Sequence, residues 1–125
     1  MKKNLLTVFL TAVFCAVLSL TANAQKVGGY KSAPTNRADV VTAVSKALEI
    51  KSKETEFNLR LDSVEKAETQ TVAGTNFRVC MLIHAYEEGE TTQSFYVKAV
   101  IYRNLKNEFS VTKWDEADDC EESTQ

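Results

Sequence analysis

Cys80 and His84 are the residues whose types most readily suggest chemistry, because thiol catalysis needs an imidazole within hydrogen-bond reach of the sulfur. They sit in a segment with strand alternation, where residues four apart share a face but lie about 13 Å from each other. The pair therefore cannot act as nucleophile and base, and His84 reads as an ordinary outer-face residue. A metal centre needs several His, Cys or carboxylate groups converging, and a single histidine beside two cysteines does not supply them. Asp115, Glu116, Asp118 and Asp119 lack the spaced loop with a central glycine that calcium requires, and read as a solvated tail. No catalytic residue, metal or cofactor is expected, and the chain does not read as an enzyme. What remains suits contact rather than bond making. Gln70-Thr71-Val72-Ala73-Gly74 is a small-residue tip between two strand patterns, Gly28-Gly29 follows Val27, and Asn104-Leu105-Lys106-Asn107 places an apolar residue in a turn.

These segments must be carried by a small secreted domain. The chain opens with Met1-Lys2-Lys3, an apolar run from Leu5 to Leu20 and the small-residue pattern Ala22-Asn23-Ala24, which together predict a signal peptide (1–24) cut after Ala24. The apolar run is shorter than the roughly 20 residues a bilayer span needs, and Cys15 follows Phe14, where a lipoprotein signal wants a small residue. Residues 25–125 then form a single domain of about 100 residues, with an N-terminal arm (25–34) and an acidic tail (115–125). The whole-chain charge of -2 becomes more negative once Lys2 and Lys3 are removed, which argues against nucleic acid or anionic membrane as partners. Cys80 and Cys120 survive cleavage into an oxidising compartment, periplasmic or extracellular, and a disulfide between them is the default expectation. Such a cross-link is worth roughly 3 to 4 kcal/mol. No Asn-x-Ser/Thr triplet marks an N-glycosylation site.

Periodicity locates the elements. Thr35 or Asn36 is placed to cap a helix with Asp39 in its first turn, and Val41, Val44, Ala47 and Leu48 recur at intervals of three and four up to Lys51–Lys53. The period then changes to two. Phe57, Leu59 and Leu61 alternate with polar residues towards Thr69. Phe77, Val79, Met81 and Ile83 alternate with Arg78, Cys80, Leu82 and His84, and Phe95, Val97, Ala99 and Ile101 with Tyr96, Lys98, Val100 and Tyr102. Phe109 and Val111 mark a last strand, and Tyr30 to Ala33 a short edge strand. Turns at Glu87-Glu88-Gly89-Glu90 and Asn104–Asn107 make the connections hairpins, hence an antiparallel sheet. The expected class is α+β, an antiparallel β-sheet wrapped around one long helix. Trp114, sharing a face with Ser110 and Thr112, is expected on the outer face.

A glycine near the mature N-terminus, a Gln-x-Val-x-Gly hairpin and a second hairpin with an apolar residue occur here in order, and in this the chain resembles the cystatins. The resemblance implies the cystatin fold and a reversible, competitive, tight-binding inhibitor of papain-like cysteine peptidases, secreted and monomeric. The implied peptidase-binding residues are Val27, Gly28, Gly29, Gln70, Thr71, Val72, Ala73, Gly74, Asn104, Leu105 and Lys106, forming a wedge that enters the active-site cleft. A bulky residue at Gly74 is expected to weaken binding while leaving the fold intact. The second hairpin departs from the family, since animal secreted cystatins carry Pro-Trp there and stefins Leu-Pro, whereas Leu105 has no proline beside it. Lys51-Ser52-Lys53-Glu54-Thr55 lacks the asparagine of the legumain-binding loop that some relatives carry. In disulfide-bearing animal cystatins the C-terminal cysteine pairs with the preceding strand, which has none here. Cys120 is therefore expected to reach Cys80, folding the tail across the sheet and packing Trp114 near Leu82 or Val100. The alternatives are a non-inhibitory secreted cystatin-fold binding protein and, more weakly, a structural secreted protein.

Overall fold

The computed structural model describes residues 28–88 and 90–122. The expected signal peptide, Val27 and the last three residues of the tail lie outside the described residues. In chain order the elements are β1 (Lys31–Ser32), α1 (Ala38–Glu54), β2 (Asn58–Val72), β3 (Gly74–Glu87), β4 (Glu90–Arg103) and β5 (Phe109–Ala117). The strands form one antiparallel sheet in sequential order, with α1 packed on one face. The α+β architecture expected from the sequence is the one observed, including the short edge strand before the helix.

Helix α1 starts differently from the expectation. Its N-cap is Arg37, without a side-chain cap, because a turn from Pro34, in which Arg37 N donates to Pro34 O, holds Thr35 and Asn36 upstream of the first turn. Asp39 instead accepts from Val40 N at 2.9 Å and pairs with Arg37 at 2.6 and 2.9 Å, bringing a carboxylate to the positive end of the helix dipole. The Arg37 hydrogen bond holds the Asp39 carboxyl below its ordinary range, against a smaller opposing effect of burial. Lys51 and Lys53 occupy the last turn, where the dipole favours cations. Val40, Ala43, Val44, Ala47 and Leu48 form the buried stripe. Val41, expected on it, is 49% exposed, since it sits one residue step around the helix from Val40 and falls off the stripe. Two of the five buried residues are alanines, whose small side chains let helix and sheet approach closely.

Phe77, Val79, Met81 and Ile83 of β3 and Val97, Ala99 and Ile101 of β4 are buried against that stripe, as their alternation predicts. Each large apolar side chain removed from water contributes about 1.5–3 kcal/mol. Strand β2 keeps its inward face only by two register shifts. Leu61, Val64 and Ala67 pair with Ile83, Met81 and Val79, so three residues of β2 span two of β3 at each step. The core contribution of β2 therefore comes from Leu59, Val64 and Ala67, while Phe57 lies before the strand and Leu61 on its rim, at 38% and 36% exposure.

A bulge between β4 and β5 decides the fate of Trp114. Ile101 pairs with Val111 but Val100 with Lys113, so Thr112 is the extra residue and Trp114 lands opposite Ala99 on the helix side. There it packs on the core, with Lys51 Nζ 5.5 Å from its ring centroid. Its expected place on the outer face near Leu82 or Val100 is thereby corrected, and the strand runs on through Ala117, past the expected tail boundary at Asp115. Beyond Ala117 the chain crosses the outer face. Cys120 is bonded to Cys80, Lys98 Nζ donates to Glu121 O at 2.9 Å, and Lys66 pairs with Glu122 at 2.7 Å.

Candidate functional site

Antiparallel pairing brings three separate segments to one end of the sheet. The β2–β3 hairpin closes through Gln70↔Asn76, Thr71↔Thr75 and Val72↔Gly74, leaving Ala73 alone at the tip. Thr75 is also the register partner of Arg103, so the β4–β5 turn starting at Asn104 emerges beside that tip. On the other flank Lys31 pairs with Thr69, and the chain read back from Lys31 therefore runs towards Thr71.

The contacts between the segments are specific. Gln70 Nε2 donates to Gly28 O at 2.9 Å while its Oε1 accepts from Asn76 Nδ2 at 3.0 Å, so one amide joins the arm to both strands of the hairpin. On the opposite side the Tyr102 hydroxyl donates to Ala73 O. Gly74 has φ +107°, and a Cβ there would lie 2.3 Å from Arg103 O and about 3 Å from the Tyr102 ring. A side chain at this position would push the two hairpins apart, which corrects the expectation that a bulky residue would leave the fold untouched.

The second turn has its own fastening. Asn104 Oδ1 accepts from both Lys106 N and Glu108 N at 2.9 Å, Asn104 N donates to Glu108 O, and Asn107 takes φ 61°, a left-handed conformation Asn tolerates. Leu105 projects from this turn at 80% exposure, with Lys106 also exposed. Gly28, Gly29, Thr71 and Ala73 are exposed as well. Thus Gly28, Gly29, Gln70, Thr71, Val72, Ala73, Gly74, Asn104, Leu105 and Lys106 share one edge. Tyr102 and Asn76 belong to the same edge although composition and motif do not single them out. The signal for them is cross-strand register, which appears only once the strands are paired.

Other candidates for chemistry lie away from this edge. Cys80 is held in the disulfide. His84 lies between β2 and β4, its Nδ1 bonded to Ser94 Oγ and its Nε2 3.5 Å from Asp62. That is a cross-strand contact on an open face, with the Asp62 separation beyond ordinary hydrogen-bond length. Among the described residues no group of three or more His, Cys, Asp or Glu is placed to hold a metal.

Comparison with known proteins agrees with this architecture. The cystatin domain model matches residues 28–112. The salivary cystatin of the soft tick Ornithodoros moubata is similar in structure, with TM-score 0.59 at 24% identity over 72% of this chain and 97% of that one. Mialostatin, a gut cystatin of the hard tick Ixodes ricinus, gives 0.61 at 14% identity, covering 74% and 100%. Dimeric human cystatin F gives 0.59 at 15%, covering 81% and 96%. No curated protein matches the chain by sequence. At these identities the solved structures speak for the fold alone, while the domain match spans well over half of the chain. This chain belongs to the cystatin family of peptidase inhibitors.

Proposed function

We propose that the protein is a secreted, monomeric, reversible inhibitor of papain-like cysteine peptidases, and that the edge formed by Gly28-Gly29, Gln70–Gly74 and Asn104–Lys106 enters the peptidase cleft as a wedge. The observation that carries this reading is the joining of the three segments at one end of the sheet by Gln70 and Tyr102, with Leu105 left projecting. An arm and two hairpins docked before binding lose less conformational freedom on association than free loops do. Val72 and Ala73 supply the apolar surface of the middle segment, Gly28-Gly29 the arm beside the unprimed subsites, and Leu105 a contact on the primed side. Cleavage is disfavoured because the middle segment is a closed hairpin with Val72 paired to Gly74, whereas a peptidase takes its substrate extended. In place of a proline, the two hydrogen bonds to Asn104 Oδ1 hold the second turn.

The test is papain activity on a small peptide substrate, titrated with the mature protein from nanomolar to micromolar concentration. Inhibition relieved by excess substrate, with the inhibitor recovered intact, is the expected result. Absence of inhibition at the top of the range refutes the reading and leaves a non-inhibitory binding protein on the same scaffold.

A further inference from the structure

Gln70 is not the arm's sole attachment. Tyr30, directly after the glycine pair, lies beneath Arg78 of β3, whose guanidinium carbon is 3.9 Å from the ring centroid. Arg78 Nη2 donates to Glu68 Oε2 at 2.7 Å, and the Glu68 side chain, itself only 15% exposed, is 3.8 Å from Lys66 Nζ. Glu68 is the register partner of Arg78 on one side and of Ser32 on the other, so the ion pair runs across β2 and β3 where β1 joins the sheet. The charge-assisted hydrogen bond restrains the guanidinium over the ring, and the ring belongs to the residue next to Gly29.

We propose that Tyr30 and Arg78, with Glu68 behind them, are positioning residues for the arm. Their stack holds Gly28 within reach of Gln70, so that the glycine pair is already docked against the first hairpin when a partner arrives. The consequence for peptidase binding rests on the inhibitor reading above; the docking itself does not. Exposed cation–π pairs have strengths corresponding to about a two- to fivefold change in an equilibrium. Loss of the stack should appear as weaker binding of that order, since order lost from a free binding segment must be restored in the complex.

The experiment compares Tyr30→Ala, Arg78→Gln, the double variant and Tyr30→Phe in the full mature chain. It uses two readouts, backbone relaxation at the Gly28 and Gly29 amides without peptidase, and the dissociation constant of the papain complex. Each single substitution should increase glycine motion and weaken papain binding about two- to fivefold. The double variant should go no further than the singles, and Tyr30→Phe, which keeps the ring, should behave as the unaltered protein. Unchanged glycine motion in Arg78→Gln overturns the proposal. So does a double variant whose effect is the product of the two singles, which would mean that Arg78 acts through the sheet rather than through Tyr30. If the unaltered protein does not bind papain, the inhibitor reading falls while glycine relaxation still decides the docking.

Discussion

Replacing Gly74 by alanine tests how tightly the two hairpins are fitted together. The added Cβ would sit 2.3 Å from Arg103 O, and ordinary van der Waals contact begins at 3.4 Å, so β3 and β4 must part by about 1 Å at the mouth of the second turn. The backbone there has φ +107°, which an L side chain rarely adopts and which costs about 1–3 kcal/mol. Relieving the overlap adds about 1–3 kcal/mol. The expected loss of about 2–6 kcal/mol in a domain of this size lowers the thermal midpoint by roughly 10 to 50 °C. The same movement displaces Tyr102, whose hydroxyl donates to Ala73 O, so papain inhibition by the protein that remains folded should weaken as well. Circular dichroism melting and a papain titration well below the new midpoint read the two effects separately. A variant with an unchanged midpoint and undiminished inhibition would refute the argument, because it would mean that the hairpins are not in contact through Gly74.

Other expectations follow from the same geometry. Opening the 40-residue loop with Cys80→Ala and Cys120→Ala together should cost about 4 kcal/mol by the chain-entropy relation, measured by urea unfolding. Trp114→Ala should cost about 2–4 kcal/mol because the ring packs on the core; a change within 0.5 kcal/mol would put it back on the outer face. Asp39→Asn should cost about 0.5 kcal/mol near neutral pH, both partners being partly solvated. Because folding depresses the Asp39 pKa, its contribution is complete above the unfolded value near 4 and is lost as pH falls through the folded value. The stability gap between the two proteins should therefore close only in acid.

Much of the architecture was legible because burial imposes a period. Alternation in β3 and β4 names the residues that prove buried, and the three-and-four spacing from Val44 to Leu48 finds the helix. The misplacements share a cause. Alternation assumes unbroken register, and a bulge is a property of two strands, so nothing in Val111-Thr112-Lys113-Trp114 read alone reveals that Trp114 turns inward. The two shifts that re-phase β2 were hidden in the same way. The helix cap failed for a local reason, the turn closed from Pro34 to Arg37, which side-chain preference alone does not anticipate. At the candidate site, Gly28, Gln70 and Leu105 stood out by type and order. Tyr102, Asn76, Tyr30 and Arg78 did not, because their roles depend on which strand lies opposite.

The central claim is that one end of the sheet, built from the arm and two hairpins, is the surface that meets the peptidase. Amide hydrogen exchange of the mature protein with and without excess papain tests it most directly. Slowed exchange confined to Gly28-Gly29, Gln70–Gly74 and Asn104–Lys106, with the opposite-end turn at Glu87–Glu88 and the segment around Cys120 unchanged, is the predicted result. Protection centred on that far turn or on the disulfide-bound segment, or no protection anywhere, would contradict it.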